Sequence, residues 1–302
     1  MMGFALLILI LAGIVLLVFL ERRPAAPTDY QQKAKTSGDI EKKYMENGPY
    51  AVSLREEKVL QGFEKYIIYY PTALETSHKP YPVIVLSNGS GTPLSKYPAV
   101  AKHYASWGFI VIGTQEQNDW NGFTAEMCVR HLKRWNDNEM VGDTKSIFYQ
   151  KVDLENVGIV GHSQGGVGVF NAMTAQPHKD VFQTGVALSP TNKELADHLE
   201  WEYDAAQIHV PVLLISGAGG GDDWVVTGDQ LREIYEDIPS DKVMVRRKDT
   251  PHSQVLYMPN GYVAAWLLWQ LQGDEEAAKA FIGNAPEIEN NPLYQDFARC
   301  IG

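Results

Sequence analysis

The sequence predicts an α/β domain with a mostly parallel central sheet and helices on both of its faces. Short apolar runs recur along the chain as "YIIYYP", "YPVIVLS", "FIVIGTQ", "NVGIVG", "TGVALS", "VPVLLISG" and "KVMVRR". Runs without polar alternation are strands buried on both faces. Helical patterns at 97–107, 124–136, 165–175, 227–237 and 261–271 lie between or after them, and alternation of strand and helix implies parallel pairing. The chain has 302 residues, of which the part after the N-terminal stretch is about the size of one such domain.

Taken in order, residues 1–20 carry no charged side chain. As a helix they would span about 30 Å, roughly the hydrocarbon thickness of a bilayer. They are read as one N-terminal transmembrane helix that anchors the protein to a membrane, with a cleaved signal peptide and a buried core helix as the alternatives. Arg22, Arg23, Lys33 and Lys35 follow it, and the side of the membrane that carries the domain stays open. Residues 21–47, polar with mixed charge and with Pro24 and Pro27, are expected to form a juxtamembrane tether. The α/β domain is expected over 48–302. Its tail after Gly273 holds the helical pattern "DEEAAKAFIG" and an irregular stretch that ends near Cys300.

Composition narrows the function. A net charge of −11 offers no basic patch, so nucleic acid is not expected as a partner. Cys128 and Cys300 could pair only in an oxidising compartment. Neither a Walker motif nor a zinc pair occurs. The glycine run at 217–221 is followed by Asp222 where G-x-G-x-x-G needs its last glycine. No metal or organic cofactor is implied.

In open α/β sheets, ligands bind beyond the carboxyl ends of the strands, and three such ends are chemically unusual. The first is "IVGHSQGGVG", in which Gly161, Ser163 and Gly165 fit G-x-S-x-G between a strand and a helix start. That arrangement is a nucleophile elbow, whose glycines permit the sharp turn. His162, as the variable residue of the motif, is expected to point away from the nucleophile and to serve packing or pocket lining.

A serine hydroxyl is a weak nucleophile unless a base takes its proton and an acid orients that base. In this architecture the order is serine, acid, histidine, and only His252 of the eight histidines follows the strand "VPVLLISG". The acid comes from the second strand end, "LLISGAGGGDDWVV". Asp223 is preferred because the helix beginning near Thr227 sets the loop length, and Asp222 is the alternate. The third strand end, "VIVLSNGSGTPLSKY", offers backbone N–H groups around Gly89. There the N–H of Ser90 would join that of Gln164 as the oxyanion hole.

With these segments in place, and with "HSQVLYMPNGYVAAWLLWQLQGDEEAAKAF" after the histidine, the chain resembles the α/β-hydrolase superfamily over about 50–272. Within it, the chain is similar to cutinase-like polyester hydrolases, chlorophyllases and dienelactone-hydrolase-type proteins. The resemblance implies the α/β-hydrolase fold, Ser163 as nucleophile, His252 as base and Asp223 as acid, because family acids precede a proline by four and Thr227 occupies that place. In cutinase-like relatives an aromatic residue that clamps the substrate follows the oxyanion glycine. Here Ser90 follows Gly89, and Trp120 and Trp224 are the candidates to supply apolar walls around the substrate.

The expected activity is that of a serine esterase, cleaving small or lipid-like carboxylic esters through an acyl-enzyme. Acyl transfer, thioester cleavage and peptide cleavage use the same residues and stay open. A membrane-tethered binding module that has lost catalysis is the reading from another class.

Overall fold

The computed structural model describes residues 24–58 and 64–302. Its nine-stranded sheet runs in the order β1-β2-β4-β3-β7-β8-β9-β10-β11. The strands are β1 (Val52–Lys58), β2 (Lys65–Pro71), β3 (Tyr81–Ser87), β4 (Ile110–Thr114), β7 (Val152–His162), β8 (Phe182–Leu188), β9 (Val212–Ala218), β10 (Lys242–Lys248) and β11 (Tyr294–Cys300). A separate two-residue hairpin supplies β5 and β6 at Met140–Val141 and Thr144–Lys145. The six strands from β4 to β10 pair in parallel. Antiparallel pairs close both edges, β2 with β4, β1 with β2, and β10 with β11.

All seven predicted apolar runs are strands of this sheet. The two edge strands were not legible in the sequence. β1 reads VSLREEK and is only partly buried, so it lacks the apolar run of a strand covered on both faces. In β11 a register shift against β10 and a positive φ at Asp296 interrupt the pattern.

The helices are α1 (Tyr30–Lys33), α2 (Asp39–Met45), α3 (Pro98–Ser106), α4 (Phe123–Asp137), α5 (Gln164–Thr174), α6 (Lys193–His198), α7 (Gly228–Asp237), α8 (His252–Val255) and α9 (Asn260–Gln272), with shorter turns after them. Two apolar clusters lie on opposite faces of the sheet. One gathers alternate sheet residues such as Ile84, Val160 and Leu213 with α3 and α9, and the other gathers Val85, Ile159 and Leu214 with α4, α5 and α7. Neighbouring strand residues feeding opposite clusters is the period-two rule of a strand covered on both sides.

The expected tether is corrected from Pro24 onward. Ala26, Tyr30, Tyr44 and Met45 are buried in the first cluster, and Ala25 N–H donates to Lys96 O at 2.7 Å. Glu41 is fully buried and pairs with Arg247 at 3.1 Å. It also accepts from Tyr294 Oη at 2.7 Å and Asn291 Nδ2 at 2.8 Å, so the buried charge has the partners it needs. Of the charges that suggested a linker, Glu41 belongs to this internal network.

The anchor expected at residues 1–20 lies outside the described residues, and no described helix is long and apolar enough to cross a membrane. Cys128 is buried and Cys300 exposed, and both are free thiols.

Candidate active site

The site residues collect beyond the carboxyl ends of β3, β7, β9 and β10, where open α/β sheets bind ligands. β7 ends at His162, Ser163 follows at φ 60° and ψ −124°, and α5 begins at Gln164. A positive φ on a residue with a Cβ is costly, and local bonds hold it in place. Ser163 N–H donates to Leu188 O at 2.9 Å, and Gly166 N–H to Ser163 O at 2.8 Å. A Cβ on Gly161 would lie 2.0 Å from Gly165 O, and one on Gly165 would lie 2.3 Å from Ser87 O. Only glycine fits at either place, so the sequence pattern is the steric requirement of this turn.

His252 opens α8 after the turn that leaves β10. Its Nδ1 lies 2.6 Å from Asp222 Oδ1. Because a carboxylate only accepts, Nδ1 carries the hydrogen in the neutral ring and Nε2 is left as the basic nitrogen. Asp222 is fully buried. Its Oδ2 accepts from Ser189 Oγ at 2.9 Å and Gly217 N–H at 2.5 Å.

It is Asp222, the alternate, and not the preferred Asp223, that faces His252. The two aspartates sit in a 3₁₀ turn, Asp222–Trp224, where successive side chains diverge by about 120°. Only one of them can face His252. Asp223 is half-exposed and pairs instead with the Arg246 guanidinium. That arginine also donates from Nε to Gly217 O at 3.0 Å, on the residue whose N–H binds Asp222. Sequence reasoning missed Arg246 because it sits inside a buried strand and shows its partner only after folding.

The loop after β3 lies against Ser163. A Cβ on Gly89 would be 2.8 Å from His162 O and 3.6 Å from Ser163 Cβ. Gly89 is buried, and Ser90 beside it is exposed. The loop is braced by Asn88, whose Nδ2 donates to Thr114 O and Glu116 O at 3.0 and 2.8 Å. Gly91 N–H also donates to Gln117 O at 2.8 Å. The Gln164 side chain is turned inward, where its Oε1 accepts Asp119 N–H at 3.2 Å. Its main-chain N–H opens α5, where first-turn donors have no intrahelical partner.

Asp119 had no sequence signal and lies beneath this corner. Its carboxylate accepts from Ser87 Oγ and Thr124 N–H, both at 2.8 Å. Burial nevertheless pushes its pKa up to about 6.

The two candidate wall residues differ. Trp224, beside the aspartates, is 85% exposed. Trp120 is partly buried and packs on the second cluster, and its carbonyl accepts from Asn171 Nδ2 at 2.9 Å. His162 is buried, with its ring centroid 4.5 Å from that of His252. Among the described residues no cluster of histidine, cysteine and carboxylate side chains could hold a metal ion.

Comparison with known proteins places the chain among ester hydrolases. The family described as "PETase: PET hydrolase-like" matches residues 30–297. A bis(hydroxyethyl) terephthalate hydrolase of Streptomyces coelicolor is 25% identical over 224 residues, covering 72% of this chain and 63% of that protein. The cutinase est1 of Thermobifida alba is 27% identical over 235 residues, covering 73% of this chain and 70% of that enzyme. The chain thus spans just under two thirds of the Streptomyces enzyme's length.

Proposed function

The chain belongs to the PET hydrolase-like family, and on that premise we propose that it is a serine hydrolase of carboxylic esters acting through Ser163, His252 and Asp222. The observation that carries the reading is the 2.6 Å contact of His252 Nδ1 with the buried Asp222 carboxylate. It accompanies a serine, Ser163, held at positive φ at the end of β7. The relatives are named for ester hydrolysis, which points the same way.

In the proposed reaction Ser163 Oγ attacks the ester carbonyl carbon while His252 Nε2 takes the hydroxyl proton. Asp222 keeps the ring in the Nδ1–H tautomer and stabilises the imidazolium. The main-chain N–H groups of Ser90 and Gln164 bind the oxyanion. Collapse breaks the bond to the alkoxy group, which leaves with the proton from His252. Water, deprotonated by the same nitrogen, then attacks the acyl-enzyme, and the carboxylic acid departs as Ser163 recovers its proton. Trp224 supplies an exposed apolar wall next to this centre.

The test is turnover of short p-nitrophenyl esters together with intact mass after treatment with a fluorophosphonate. The expected result is one adduct on the wild-type chain, with both adduct and turnover lost in Ser163→Ala. Full turnover by Ser163→Ala would refute the reading.

We also propose membrane attachment through residues 1–20, supported by their apolar, uncharged composition. The full-length chain should then stay in the membrane pellet after carbonate extraction. Recovery of the intact-length chain in the soluble fraction would contradict attachment.

A further inference from the structure

We propose that His162 is the positioning residue for His252: it ties the loop that carries the base to the strand that carries the nucleophile. The inference rests on the reading of Ser163, His252 and Asp222 given above. His162 is the last residue of β7 and pairs with Leu188 of β8, so its main chain is fixed by the centre of the sheet. Its side chain is buried and reaches across 90 positions of sequence, with Nε2 2.8 Å from His252 O.

A carbonyl oxygen only accepts, so Nε2 of His162 must donate. The two rings also lie at 4.5 Å and 35°, which limits how His252 can turn. Burial first, and then the neighbouring His252, push the pKa of His162 down to about 3. His162 thus keeps the donor tautomer and stays neutral when His252 accepts a proton.

Asp222 fixes the His252 ring from the opposite end, at Nδ1. The carboxylate sets the tautomer but sits on another loop. Among the described residues, His162 is the one hydrogen-bonded link between the chain next to Ser163 and the main chain of His252, so it sets the separation between nucleophile and base. A misplacement of about 1 Å in such a pair can cost up to 100-fold in rate.

The test compares His162→Phe, which keeps a ring and loses the donor, with His162→Gln, which can return an N–H to the same carbonyl. His162→Phe is expected to lower kcat on p-nitrophenyl butyrate about tenfold, the equivalent of one hydrogen bond. KM should stay within about twofold, and the rate of fluorophosphonate labelling should fall in parallel. His162→Gln should recover part of kcat and of the labelling rate, and it provides the reading if the Phe variant does not fold.

Three results would each overturn the assignment. They are wild-type kcat in both variants, a loss confined to KM, which marks a substrate-lining residue, and a Gln variant no better than a folded Phe variant, which marks packing alone. Ser163→Ala run beside them separates the two readings. If it is inactive while the His162 variants behave as wild type, only the positioning role fails; if it is active, the nucleophile assignment fails first.

Discussion

The nucleophile elbow and the acid turn are both glycine-rich and both follow a buried parallel strand, yet they are built on different principles. In the elbow the backbone dictates the residue. Cβ atoms on Gly161 and Gly165 would collide with main-chain oxygens at 2.0 and 2.3 Å, so the fold leaves a fixed signature in the sequence. In the acid turn Gly219, Gly220 and Gly221 have φ of +92°, +66° and +92°, but Cβ atoms on Gly219 and Gly221 would meet nothing within 4 Å. There the selection of one aspartate over its neighbour is made by hydrogen-bond partners, with the Arg246 side chain holding Asp223 while the Ser189 hydroxyl and the Gly217 N–H hold Asp222.

The largest expected effect breaks the elbow. Gly161→Val puts atoms into the main chain of Gly165, and its cost should exceed the 1–3 kcal/mol usual for overpacking. The thermal midpoint should fall by more than 10 °C, or soluble protein should be lost. Gly219→Ala carries only the strain of positive φ, about 1–2 kcal/mol, and should fold with a lowered midpoint. Thermal melts of the two variants side by side measure the contrast.

A smaller effect sharpens the acid side. Arg246→Met frees Asp223 and removes the donor to Gly217 O, so the Asp222 turn loses one support. Several-fold loss of kcat/KM on p-nitrophenyl butyrate is expected, with the protein still folded. An unchanged value would show that the turn holds Asp222 without the arginine.

The buried groups of the sheet core and the elbow corner also give a pH signature. Burial lowers His103 and His131 to about 4 and His162 to about 3, from 6.5 when unfolded, so unfolding takes up protons as pH falls below 6.5. Asp119 acts oppositely, because its carboxyl is raised from 3.8 to about 6 and it releases a proton on unfolding in that window. Three uptakes against one release leave a net uptake of about two protons near pH 5. Stability is therefore full above 6.5 and falls towards 4, by about 1.4 kcal/mol per pH unit for each net proton. Urea midpoints at pH 7.5, 6 and 5 should decrease in that order, and His103→Gln, if folded, should flatten the trend. A flat series would contradict it.

The same contrast explains what was legible in the sequence. The interior strands, the elbow and His252 were readable because burial on both faces, steric need for glycine and chain order each act locally. β1 and β11 escaped because edge strands half-covered by solvent carry mixed polar residues. Residues 24–47 were misread because the charges of Glu41 and Arg247 signal water until the fold brings them together. Asp222 was left as the alternate because its advantage depends on Arg246, Ser189 and Gly217, which only the folded chain assembles around the turn.

One comparison tests the central claim most directly: steady-state hydrolysis of p-nitrophenyl butyrate by Asp222→Asn and Asp223→Asn. An orienting carboxylate is worth about 10⁴ in kcat, so Asp222→Asn should lose 10³-fold or more while Asp223→Asn stays within about tenfold of wild type. The reverse order, or equal losses in the two variants, would contradict the assignment of Asp222 as the group that holds His252.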